Sequence, residues 1–250
     1  MKEDIIKNIL LCELSYSEPQ DINYVLRDPK YNSIIDIVKN RKYFFNTDTD
    51  VNLYIFKYKN ILYIVFRGTS SFKDVLIDMQ MCFENIINPT IKVHSGFYKQ
   101  YFSIYKKIID YIDFYKYNID IINVLGHSLG GGIATIASSL IANSYYNKVV
   151  NCYVFGCPRV GNKNFKFFFN KVVKNHYNYC FYNDIIGMIP LNYKYLHIAN
   201  YNKICKNKEI VYIENIKWYK RIFYLLNNTN CINPIKNHKL LSYYEYFLQY

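Results

Sequence analysis

The chain has 250 residues, 51% apolar and 20% charged, which excludes a disordered or fibrous protein and suffices for one domain, 1–250, with a full core. The formal net charge is +12. That suits contact with an anionic lipid surface, but Lys is scattered and no basic tract is dense enough to predict nucleic-acid binding. Seven cysteines form neither a CxxC pair nor a Cys/His metal spacing, so reduced thiols are expected, with no metal and no cofactor. No run approaches 18 uncharged apolar residues, and Glu3 and Asp4 stand where a signal peptide would be basic, so an intracellular location is expected. The 29 tyrosines, with abundant Ile, Asn and Lys, share AT-rich codons and are read as genome bias rather than chemistry.

In chain order, Ile5, Ile6, Ile9, Leu10 and Leu14 recur at helical spacing and predict an amphipathic helix over residues 3–15. Turn-rich polar sequence then runs to about Asp50. Val51–Tyr58 and Ile61–Phe66, parted by Lys59-Asn60, predict a hairpin. An alternation follows: helix Phe97–Tyr115, strand Ile119–Leu125, helix Leu129–Asn143, strand Val149–Phe155, helix Asn164–Val173 and strand Tyr177–Tyr182. A final helix begins near Lys239. Such alternation predicts an α/β fold with a central, mostly parallel sheet flanked by helices.

The sharpest motif is Gly126-His127-Ser128-Leu129-Gly130, a G-x-S-x-G placed between an apolar strand and a helix. Reversing the chain within so few residues forces the serine into a strained conformation. Side chains two before and two after would collide, so glycine stands there. The turn projects the Ser128 hydroxyl above the sheet and sets the Leu129 N–H at a helix start, where it can stabilise an oxyanion. The competing reading, a phosphate-binding glycine turn, lacks both a P-loop Lys and a G-x-G-x-x-G.

A nucleophilic serine needs a base, and the base a carboxylate, in the chain order Ser, acid, His for an α/β-hydrolase fold. His94 precedes the serine, and His127 lies in the elbow pointing away from Ser128. His176 precedes the acid loop. His197, in strand-like Tyr195–Ala199, reads as a core or supporting residue, leaving His238, just before the final helix, as base. Asp184 follows the apolar strand ending in Phe181-Tyr182 and is the candidate acid.

Taken together, the residues resemble the class 3, fungal-type lipase family over roughly residues 50–245. Ile64-Val65-Phe66-Arg67-Gly68-Thr69-Ser70, His94-Ser95-Gly96-Phe97-Tyr98, the elbow, Phe155-Gly156-Cys157-Pro158-Arg159-Val160-Gly161-Asn162, Asn183-Asp184 and Ile189-Pro190 occur in family order. The resemblance implies Thr69 as a second oxyanion donor beside Leu129. It also implies an amphipathic lid over about 71–82, with Phe72, Val75, Leu76 and Met79 on its apolar face. The expected activity is hydrolysis of carboxylic esters of acylglycerols, phospholipids or small esters through an acyl-enzyme. Its alternative is a catalytically silent lipid-binding or interaction module on the same fold.

Overall fold

The computed structural model describes residues 2–69, 82–182, 184–190, 192–198, 201–205, 208–213 and 238–249. Among the described residues the strands are β1 (Arg41–Asn46), β2 (Val51–Tyr58), β3 (Ile61–Phe66), β4 (Phe83–Ile86), β5 (Asn88–His94), β6 (Ile121–His127), β7 (Val149–Phe155), β8 (Asn175–Phe181), β9 (Tyr201–Ile204) and β10 (Ile210–Ile213). The described helices are α1 (Lys2–Leu14), α2 (Ile22–Val25), α3 (Ile35–Val38), α4 (Ser95–Tyr115), α5 (Leu129–Ser144), α6 (Lys163–Val172) and α7 (Leu240–Gln249), with 3-10 helices at Pro29–Ile34 and Ile186–Met188.

Eight strands form one sheet in the order β1-β2-β3-β6-β7-β8-β9-β10. The inner pairs from β3 to β9 are parallel, and antiparallel pairs close both edges. β4 and β5 form a separate hairpin.

Strand alternation divides the core in two. On one face Leu62, Ile64, Ile122, Val124, Val150 and Val154 pack under α4, α5 and α6. On the other, Tyr54, Phe56, Tyr63, Tyr153, Phe155 and Tyr179 pack under α1 and α7. α4 commits Phe97, Tyr101, Ile104, Ile108 and Ile112 to the first face at helical spacing. Burying each such side chain contributes about 1.5–3 kcal/mol.

Register across the central strands is pinned by an asparagine ladder. Asn123, Asn151 and Asn175 are direct cross-strand partners. Asn151 Nδ2 donates to Asn123 Oδ1 and Asn175 Nδ2 to Asn151 Oδ1, both at 2.8 Å. A one-residue slip would turn each amide to the other face, so the ladder aligns the carboxyl ends where the site is built.

The expected elements are present with shifted ends. The elbow strand spans Ile121–His127 rather than Ile119–Leu125, because its pairing with β7 runs through His127 and Phe155. β8 begins at Asn175 rather than Tyr177, where Asn175 joins the ladder. The segment expected to be turn-rich up to Asp50 instead holds three short helices and edge strand β1. Arg41-Lys42-Tyr43-Phe44-Phe45-Asn46 lacks strict alternation; its strand state comes from pairing with β2 along six residues. Six of the seven cysteines are described and all six are free thiols; Cys231 lies outside the described residues.

Candidate active site

Ser128 stands between β6 and α5 with φ 57° and ψ −130°, a conformation that costs an ordinary residue about 1–3 kcal/mol. The surrounding backbone holds it there. Ser128 N–H donates to Phe155 O and Gly131 N–H to Ser128 O, both at 3.0 Å. A Cβ on Gly126 would fall on the Gly130 carbonyl, and one on Gly130 on the Phe66 carbonyl, so only glycine lets the strand and helix approach this closely.

Asp184 and His238 are brought to this serine from 56 and 110 residues away. His238 Nε2 lies 2.9 Å from Ser128 Oγ, and His238 Nδ1 lies 2.8 Å from Asp184 Oδ2. All three side chains are buried. With the carboxylate accepting at Nδ1, the neutral ring keeps its Nε2 lone pair for the serine hydroxyl. Asp184 Oδ2 also accepts from Tyr243 Oη at 3.2 Å, and Oδ1 accepts the Ile186 N–H at 2.9 Å. Gly156, at the end of β7 with φ +56°, makes room for the pair. A Cβ there would sit 2.8 Å from Asp184 Oδ2 and 2.9 Å from His238 Nδ1. The loop after Asp184 is clamped by buried Arg159, whose guanidinium donates to the Met188 and Pro190 carbonyls.

The His127 ring lies 4.6 Å from the His238 ring and supports it through a hydrogen bond to the backbone. Its Nε2 lies 2.6 Å from the His238 carbonyl, which can only accept, so the proton is on Nε2. Its Nδ1 therefore accepts from Tyr16 Oη at 2.8 Å. Burial, and then the neighbouring His238, hold the His127 pKa well below the ordinary histidine range, so the ring is neutral. The chain Tyr16–His127–His238 ties the base's backbone to the elbow. Sequence reasoning did not single out Tyr16, Gly156 or Tyr243. Gly156 sat in a recognised block, whereas nothing around Tyr16 marked it.

Leu129 opens α5, and its N–H is one of the helix-start amides that lack an intrahelical acceptor. Thr69 follows β3, and both residues line one cavity of about 570 Å³. Leu129 also packs against the Ile186 and Ile189 cluster, as does Ile185. The expected lid residues Phe72, Val75, Leu76 and Met79 lie outside the described residues. His197 is buried away from the triad's hydrogen bonds. Among the described residues, no group of three or more His, Cys, Asp or Glu side chains is arranged to hold a metal ion.

A serine on a strained strand-to-helix turn, with acid and histidine supplied from beyond later strands of a parallel sheet, defines an α/β-hydrolase. Residues 63–194, just over half the chain, match the family Lipase (class 3), and the chain belongs to that family. Toxin TseL of Vibrio cholerae is 33% identical over 98 residues, covering 39% of this chain and 15% of the toxin. Phospholipase A1-II 1 of Oryza sativa is 45% identical over 56 residues, 22% of this chain and 14% of its own. The lipase of Rhizopus niveus is 31% identical over 134 residues, 48% and 33%. The chain thus spans well under half the length of these curated relatives. In architecture it is similar to Rhizomucor miehei triacylglyceride lipase, with TM-score 0.73 and 21% identity over 84% of this chain and 82% of that one.

Proposed function

We propose that the protein is a serine carboxylic ester hydrolase that cleaves acylglycerols or phospholipids through an acyl-enzyme intermediate. The observation that carries this reading is the continuous line from Ser128 Oγ through His238 to Asp184, with steps of 2.9 and 2.8 Å. His238 Nε2 takes the hydroxyl proton as Ser128 attacks the ester carbonyl. The resulting imidazolium is stabilised by Asp184, and the proton passes to the leaving alcohol. Water then repeats the sequence on the acyl-enzyme. Thr69 and Leu129 receive the oxyanion; each such donor is worth about 10²–10³ in kcat. The relatives named as a lipase and a phospholipase A1 support lipid esters as the substrate class. The net charge of +12 supports action at an anionic lipid surface.

The test is hydrolysis of short- and long-chain p-nitrophenyl esters by wild type and Ser128→Ala. A loss on the order of 10⁵–10⁶ in kcat is expected for the variant. Equal rates for the two folded proteins would overturn the assignment.

A further inference from the structure

An ester substrate has two ends, and the described surroundings of Ser128 treat them differently. Leu129 packs against the buried Ile186 and Ile189, so the residue beside the nucleophile has an apolar side. Leu129 and Thr69 also line the 570 Å³ cavity, whose described walls carry Glu18, Gln20, Tyr43, Asp50, Asn52, Arg67 and Gln100. That volume lies in the range of small-ligand sites. An acyl chain placed there would strip water from polar walls and give them no partner in return. The leaving-group end of the substrate carries the polar atoms that such walls can bind.

The charges narrow the choice. Among the described wall residues, Arg67 is the one cation, and Glu18 and Asp50 are the carboxylates. Arg67 Nη1 donates to Glu18 Oε1 at 3.0 Å, and the guanidinium lies over the Tyr16 ring at 5.9 Å. A guanidinium has five N–H donors, so one carboxylate contact leaves capacity for a phosphate oxygen. The pair is a dipole at the wall, and with Asp50 the described wall sums to −1. A head group that is itself a dipole, phosphate beside ammonium, can lie against it with both ends matched. A head group with phosphate alone meets one cation and two repelling carboxylates.

We propose that this cavity is a head-group site selecting zwitterionic glycerophospholipids, with Arg67 facing the phosphate and Glu18 and Asp50 facing the ammonium. The assignment rests on the ester-hydrolase reading above. It concerns which lipid is cleaved, whereas the basic surface concerns which lipid surface attracts the protein.

Competition within one micelle removes the surface effect. Nonionic-detergent micelles would hold equal amounts of phosphatidylcholine and phosphatidylglycerol with identical acyl chains, and mass spectrometry would count the two lysolipids. Wild type is expected to release lysophosphatidylcholine in several-fold excess, since Glu18 and Asp50 are exposed and water screens part of the charge mismatch. Glu18→Gln with Asp50→Asn is expected to bring the ratio close to one. Asp50→Asn alone should move it part of the way, and asparagine tolerates the positive φ of 50° at that position. A wild-type ratio at or below one, or a ratio unmoved in both variants, overturns the proposal. Hydrolysis of p-nitrophenyl butyrate without release of either lysolipid overturns the head-group site while the ester-hydrolase reading stands. No hydrolysis of any ester overturns both.

Discussion

Ser128 and His238 meet at 2.9 Å but are held by different means. The serine is held by backbone: its φ of 57°, one hydrogen bond within the turn and one to Phe155 at the end of β7, and glycines where the helix meets β6 and β3. The histidine begins the segment just before α7 and is held by side chains from distant parts of the chain. Asp184 grips Nδ1, His127 grips its carbonyl, and Tyr16 grips His127. A backbone turn is restored by any sequence that can form it. A side-chain arm fails when one distant partner is lost. The base should therefore be the more fragile arm, and mutations on it should lower kcat while the nucleophile stays in place.

The largest effect on that arm is expected from Asp184→Asn. An amide at Nδ1 favours the wrong tautomer, and kcat should fall by about 10⁴ near neutral pH with the fold intact. Steady-state kinetics with a fluorophosphonate titration of Ser128 would check this. A loss below tenfold would show that the carboxylate does not orient the base. Gly156→Ala comes next, since the new methyl enters the space of both Asp184 Oδ2 and His238 Nδ1 and φ is +56°. Displacement of this order costs about 10² in kcat. A normal kcat in this variant would mean that the arm yields more freely than its packing suggests.

Tyr16→Phe should act more gently. It leaves the buried His127 Nδ1 without its donor, at a cost of about 1–3 kcal/mol in stability. About a tenfold fall in kcat with KM unchanged is expected, because the acyl and head-group contacts remain. A change confined to melting temperature would make Tyr16 purely structural.

His176 supplies a control away from both arms. It is half-buried on β8 against Phe169 with both ring nitrogens shielded from water, and that burial lowers its pKa to about 3; burial likewise lowers that of His94 to about 4. Above about 6.5 neither group is charged in either state, so neither affects stability with pH. Below 6.5 the unfolded chain binds protons that the folded chain refuses. Stability is thus lost as pH falls from about 6.5 to 4 for His94 and to 3 for His176. His176→Phe should move the acid-unfolding midpoint, followed by circular dichroism, to lower pH and leave kcat at neutral pH unchanged. An unmoved midpoint would show that this group does not drive acid unfolding.

The difference between the arms also explains what could be read in advance. Gly126, Ser128 and Gly130 announce the elbow because strain, glycine and the strand-to-helix switch are local. Asp184 and His238 could be chosen because few histidines were available and chain order is constrained. β1, Tyr16 and Tyr243 carried no comparable signal. β1 is a strand because β2 is beside it, and Tyr16 reaches His127 across 111 residues.

By itself, then, the sequence determined the alternation of elements and the elbow, and it pointed to the candidate acid and base that lie within hydrogen-bonding reach of one another and of Ser128, since periodicity, turn chemistry and order along the chain are local or sparse signals. The tertiary structure decided the register set by Asn123, Asn151 and Asn175, the neutral His127 that ties His238 in place, and the charged cavity beside Thr69 and Leu129. Each depends on side chains from separate elements meeting at hydrogen-bonding distance, and one-dimensional spacing holds no record of such meetings.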